Sequence, residues 1–226
     1  MCGRYILAEQ SQSEKIFGVE RQHWRGTMSY NVAPARDVPV IRMNDGVREG
    51  VMMRWGLIPS FLKGESPKYP TSNARRETME NSPAFRDPWK KGQRCLVPAA
   101  GFYEWFQPVG QPKQPWFIGL ANKEIMAFAG LWDRSKRPDG TMVESFAIIT
   151  LPANEFMAKI DNEELRMPAI LDMHDIEVWL NGSPQHARAA LVKFPGDQLR
   201  AYRVGPRVNS PKNDDAALLE EVSGTG

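Results

Sequence analysis

Position 2 holds a cysteine directly after Met1, and no other residue of the chain offers as much chemistry. Initiator methionine is usually removed when the next residue is small. Its loss would give Cys2 a free α-amine of pKa about 8 beside a thiol of pKa about 8.5. The two groups sit on adjacent carbons, so they can attack one carbonyl in succession. The amine forms a Schiff base and the thiol closes a five-membered thiazolidine ring. Because the second step is intramolecular, an N-terminal cysteine is an efficient aldehyde trap. The plainer alternative is a small residue that merely follows the start codon.

A second candidate is Glu104, in the run Leu96-Val97-Pro98-Ala99-Ala100-Gly101-Phe102-Tyr103-Glu104-Trp105. A carboxylate between Tyr103 and Trp105 in an apolar stretch is expensive to bury ionised. Desolvation would raise its pKa and make it a general acid or base near neutrality. The alternative is a solvent-facing residue on an alternating strand. Asn73-Ala74-Arg75 follows a Pro-rich loop and Arg166-Met167-Pro168 a polar one. Arginines on loops hold phosphates through paired hydrogen bonds, with surface ion pairs the bland option. Trp55, in Trp55-Gly56-Leu57-Ile58-Pro59, could stack on an unpaired base or lie in the core.

The elements that must position these groups are mostly short strands, rich in Val, Ile and aromatics. Val38 to Met43, Val47 to Trp55, Arg94 to Ala99, Gly101 to Phe106, Trp116 to Leu120, Glu124 to Trp132 and Glu144 to Thr150 read this way. Pro138-Asp139-Gly140 predicts a hairpin between the last two. Helices are expected at Ser11 to Phe17, stopped by Gly18, and from Ser183-Pro184 through about Lys193. Asp175 to Leu180 and the stretch around Ala153 to Met157 are weaker candidates. Gly64 to Ser72 reads as an exposed loop. The expected class is α+β, with mainly antiparallel strands curled into a barrel-like core and helices around it.

The chain has 226 residues, 42% hydrophobic and 25% charged, which suits a globular domain. Two cysteines and three scattered histidines supply neither a disulfide framework nor zinc-site spacing, so no metal or cofactor is expected. No apolar run suggests a membrane span, and no secretory signal is visible. The net charge of +2 is unevenly placed. The segment 214–226 holds Asp214, Asp215, Glu220 and Glu221 and no basic residue. Without it the remainder has 29 basic and 23 acidic residues, a charge of +6, which permits nucleic-acid binding. One domain over residues 1–213 and a flexible acidic tail over 214–226 are the expectation.

Taken in order, Met1-Cys2-Gly3-Arg4, Trp55-Gly56-Leu57-Ile58-Pro59, Asn73-Ala74-Arg75-Arg76-Glu77, Arg94 to Trp105, Phe128-Ala129-Gly130-Leu131-Trp132, Arg166-Met167-Pro168 and Val208-Asn209 resemble the SRAP family (SOS-response-associated peptidase). The resemblance runs over about residues 2 to 213. It implies self-removal of Met1, then a thiazolidine cross-link between Cys2 and abasic sites in single-stranded DNA. It implies further that Asn73 lies beside the ring and that Glu104 is the acid/base for ring opening, Schiff-base formation and reversal. Arg75 and Arg166 would contact phosphates, Arg4 and Trp105 would line the DNA site, and Trp55 would help stack or bend the strand. A monomer is expected, in the cytoplasm and on the nucleoid when bound to DNA.

One segment departs from the family pattern, which reads Ile-His-x-Arg-Met-Pro. Here Ile160-Asp161-Asn162-Glu163-Glu164-Leu165-Arg166-Met167-Pro168 is three residues longer. Counting back from Arg166 lands on Glu164, which becomes the candidate substitute for the histidine; His23, His174 and His186 lie outside the motif. Two other functions compete with the cross-linker: a cysteine-type peptidase or amidohydrolase with Cys2 as nucleophile, and a noncatalytic single-strand-binding module.

Overall fold

The computed structural model describes residues 2–222. Its eleven strands are β1 (Arg4–Leu7), β2 (Arg21–His23), β3 (Asp37–Asn44), β4 (Val47–Trp55), β5 (Asn73–Arg75), β6 (Arg94–Phe106), β7 (Gln114–Leu120), β8 (Met126–Lys136), β9 (Met142–Pro152), β10 (Arg166–Pro168) and β11 (Leu199–Arg203). Five short helices accompany them: α1 (Gln10–Phe17), α2 (Arg86–Lys90), α3 (Glu155–Ala158), α4 (Ile176–Asn181) and α5 (Pro184–Ala189). β3, β4, β9, β8 and β6 pair in a ring that closes where Ile41 of β3 meets Leu96 of β6. The fold is therefore the expected α+β barrel. Most pairings are antiparallel, but β4 and β5 both run parallel to β9.

Local chemistry explains the boundaries. Gly18 ends α1 at φ 61°, a left-handed cap that glycine adopts without strain. Ser183 caps α5, accepting from His186 N at 3.3 Å. That helix stops at Ala189 rather than near Lys193. The two strands expected around Gly101 are a single strand of 13 residues, β6. Its first half pairs with β8 inside the barrel, and its second half with β1 and β7. Gly101 makes this change of partners possible: a Cβ there would lie 2.4 Å from the Phe117 ring and 2.7 Å from the Ile118 oxygen.

The core holds Tyr5, Trp55, Phe102 and Phe128, all fully buried. Tyr5 meets Trp55 edge-on at 5.2 Å and Phe128 at 6.1 Å, and Phe102 meets Phe128 at 5.8 Å. Edge-to-face pairs add about 0.5–1.5 kcal/mol each beyond area burial. Trp55 is thus a core residue, and the expectation that it stacks on DNA is corrected. Its indole is sealed inside, and Nε1 donates to the Ser72 carbonyl at 2.9 Å.

The acidic segment also differs from expectation. Asp214 accepts from Asn31 N (3.0 Å), Tyr30 N (2.5 Å) and Ser29 Oγ (2.8 Å), and pairs with Arg36 at 3.0 Å. Asp215 pairs with Arg207 at 2.7 Å, and Leu218 is buried in a cluster with Ile6, Tyr103 and Phe117. Residues 214–222 are docked because these carboxylates have partners and Leu218 has a pocket. Residues 223–226 of the expected tail lie outside the described residues.

Candidate active site around Cys2 and Glu104

Strand register sets the N-terminal segment beside the second half of β6. β1 pairs antiparallel with β6, setting Arg4 opposite Tyr103, so the residues before Arg4 run toward Glu104. Cys2 is fully buried and Glu104 is 3% exposed. Burial pushes the Cys2 thiol up, and the Glu104 carboxylate pushes it the same way. Asn73 begins β5, which lies parallel to β9 with Asn73 opposite Ile148. Its Nδ2 donates to the Cys2 carbonyl at 2.9 Å, while its buried Oδ1 accepts no hydrogen bond from the described residues.

Beside these groups lies an open pocket of about 310 Å³. Glu104, Trp105 and Asn209 form one side; Lys113, Asp161, Glu163 and Glu164 complete it. Burial pushes the Glu104 carboxyl up to about 8; the terminal amine and, more weakly, Lys113 oppose the rise, while Asp161 and Glu164 add to it. Glu104 therefore carries its proton at neutral pH and can act as an acid. The loop with the three additional residues is ordered. Asn162 accepts from Gln107 N at 2.8 Å and donates to Gln107 O at 3.0 Å, and Glu163 pairs with Lys113.

A model of the SOS response associated peptidase family, SRAP, matches residues 1–211. The chain belongs to the SRAP family. A Bacillus subtilis relative, abasic site processing protein YoaM, is 38% identical over 229 residues, 97% of this chain and 98% of its own. Abasic site processing protein HMCES of Gallus gallus is 34% identical over 226 residues, covering 86% of this chain and 66% of its own. A crystal structure of a protein from Bacteroides thetaiotaomicron superposes with a TM-score of 0.85 at 29% identity, over 98% of this chain and 100% of that one.

Within this SRAP fold the expected site residues divide into two groups. Cys2, Asn73, Glu104 and Trp105 come together, and Glu164 reaches the pocket rim. Arg75 is exposed and its Nη2 lies 4.0 Å from Glu164 Oε2, leaving most of its guanidinium in solvent. Arg166 is instead occupied: two 3.0 Å bonds bind it to Glu77, and Nη2 donates to Thr150 O (2.7 Å) and Oγ1 (3.1 Å). Here it is a largely buried brace between β10 and the segment after β5. Arg4 is a brace as well. It donates to Val208 O at 2.8 Å, Asn209 O at 3.0 Å and Asn31 Oδ1 at 2.9 Å, which ties β1 to the segment that carries Asn209. Trp105 Nε1 donates to Asn209 Oδ1 at 2.8 Å, which fixes the indole at the pocket wall.

Four pocket residues escaped the sequence reading: Lys113, Glu163, Asn209 as a side chain, and Asp161. Counting forward from Ile160, rather than back from Arg166, would have found Asp161. Among the described residues no histidine lines this pocket, and no helix is long and apolar enough to cross a membrane.

Proposed function

We propose that this chain captures abasic sites in single-stranded DNA as a covalent thiazolidine through Cys2, shielding the lesion. The observation that carries the reading is the shared burial of Cys2 and a proton-bearing Glu104 beside Asn73. The names of the Bacillus and chicken relatives, abasic site processing proteins, support the substrate class.

Self-removal of Met1 uncovers the α-amine of Cys2. The ring-opened abasic sugar presents an aldehyde, and the amine adds to its carbon to give a carbinolamine. Glu104 donates its proton to the departing hydroxyl, so water leaves and an iminium remains. The Cys2 sulfur then bonds to the same carbon, and the thiol proton returns to the Glu104 carboxylate. This order suits a thiol that burial holds protonated. Attack on the iminium is intramolecular, and its proton acceptor is regenerated by the preceding step. Asn73 holds the Cys2 carbonyl and offers Oδ1 to a donor on the bound sugar or amine. Arg75 contributes to phosphate binding and Trp105 supplies an aromatic wall.

The test is incubation of the processed protein, with Cys2 confirmed at its N-terminus by intact mass, with single-stranded DNA carrying one abasic site. A band surviving a denaturing gel is expected. Cys2→Ser should form only a linkage that borohydride must trap, because a hydroxyl closes the ring less readily than sulfur. No adduct from the wild-type protein refutes the proposal. No specific observation favours a peptidase, whose thiolate would need a cation or histidine to lower its pKa.

A further inference from the structure

The loop with the extra residues carries two carboxylates on the Glu104 pocket, in different situations. Glu164 has its side chain 48% exposed and faces Arg75. Asp161 is 3% exposed. Its Oδ1 accepts from Glu164 N at 3.2 Å and its Oδ2 from Arg166 N at 3.3 Å, so the carboxylate is fixed at both oxygens. Asp161 directly follows Ile160, at the foot of the loop, where α3 delivers the chain to the pocket wall.

We propose that Asp161 is a positioning residue of this site, a fixed buried charge that keeps the transferable proton on Glu104. The catalytic consequence rests on the function proposed above; the electrostatic claim does not. The charged groups acting on Glu104 are the terminal amine and Cys2 from the N-terminal segment, Asp161 and Glu164 from the loop, and Lys113 from the approach to β7; the amine and Lys113 oppose the two loop carboxylates. Around them, Glu163 is paired with Lys113, and Arg75 lies near Glu164. Of the two loop carboxylates, Asp161 acts on Glu104 more strongly. Solvent explains the order: water and salt screen Glu164, whereas a buried charge keeps its reach. Glu164 instead lies next to the exposed guanidinium of Arg75.

The experiment is a carbon-NMR titration of Glu104 in protein labelled at the glutamate carboxyl, assigned by the signal lost in Glu104→Gln. Asp161→Asn and Asp161→Ser both remove the charge while keeping an oxygen to accept a loop amide. Each should lower the Glu104 midpoint by about one pH unit, a moderate like-charge effect. Glu164→Gln should move it less. In the wild-type protein, salt raised from low to near-molar concentration should leave the midpoint nearly fixed, since it screens exposed charges and spares buried ones. The alkaline limb of the cross-linking rate should follow the midpoint downward in both Asp161 variants, with affinity for abasic single-stranded DNA unchanged. A larger shift from Glu164→Gln, an unmoved midpoint in folded Asp161 variants, or a strongly salt-dependent wild-type midpoint overturns the proposal. Shifted midpoints with no adduct from wild type refute the cross-linking function and leave the role of Asp161 intact.

Discussion

Replacing Glu104 by glutamine should make the protein more stable at neutral and alkaline pH. The native carboxyl titrates near 8, against 4.5 when unburied. Between these values the native state holds a proton that the unfolded chain has lost, so wild-type stability falls as pH rises. Each unit corresponds to 1.36 kcal/mol. Relative to its value at pH 4.5, wild type should lose about 3 kcal/mol against the glutamine variant by pH 7, levelling at 4 to 5 kcal/mol above pH 8. These are upper figures. Glu104 is buried, so solvent screening does not reduce them, but local opening of the pocket would. Urea unfolding of both proteins at each pH from 4.5 to 9 gives the difference directly, and titration of all other groups largely cancels. Parallel stability curves, or a difference that shrinks with rising pH, would refute the burial argument.

Arg75→Ala should leave the melting temperature unchanged and weaken capture of abasic single-stranded DNA. It should lower the slope of log affinity against log salt by about one, read from binding isotherms at several salt concentrations. Asp214→Ala strands the amides of Tyr30 and Asn31 and the guanidinium of Arg36. The expected cost is about 1–3 kcal/mol in urea unfolding, and no cost would show that the C-terminal segment is undocked. Trp55→Ala should cost about 3–5 kcal/mol from the cavity it leaves. Its remaining folded fraction should bind DNA as wild type does; a loss of affinity without a loss of stability would restore Trp55 to the DNA surface.

Much of the barrel was legible because its strands are regular. Val47–Trp55 is the expected strand to the residue, and Pro138-Asp139-Gly140 does turn β8 into β9. β1, β5 and β10 left no such signal: they are three or four residues long, and the partners of β1 and β5 lie far along the chain. The site divides the same way. Cys2, Asn73 and Glu104 stand out by residue type and motif. The roles of Arg4 and Arg166 depend on what faces them, which a linear reading cannot supply: a motif arginine looks the same whether it meets a phosphate or Glu77. The acidic segment misled for a related reason. Four carboxylates read as a solvated tail until Arg36, Arg207 and two backbone amides are found opposite the first two.

The bonds from Arg4 to Val208 and Asn209 span 204 and 205 residues. A chain leaving the ribosome makes Cys2 at the start and its brace near the end. Cys2 therefore spends most of synthesis without the wall that Asn209 and Trp105 build. Closure of so long a loop comes late in folding. Completion of the pocket is thus tied to completion of the polypeptide. A chain released before Val208 would carry Cys2 and Arg4 without the carbonyls that brace them.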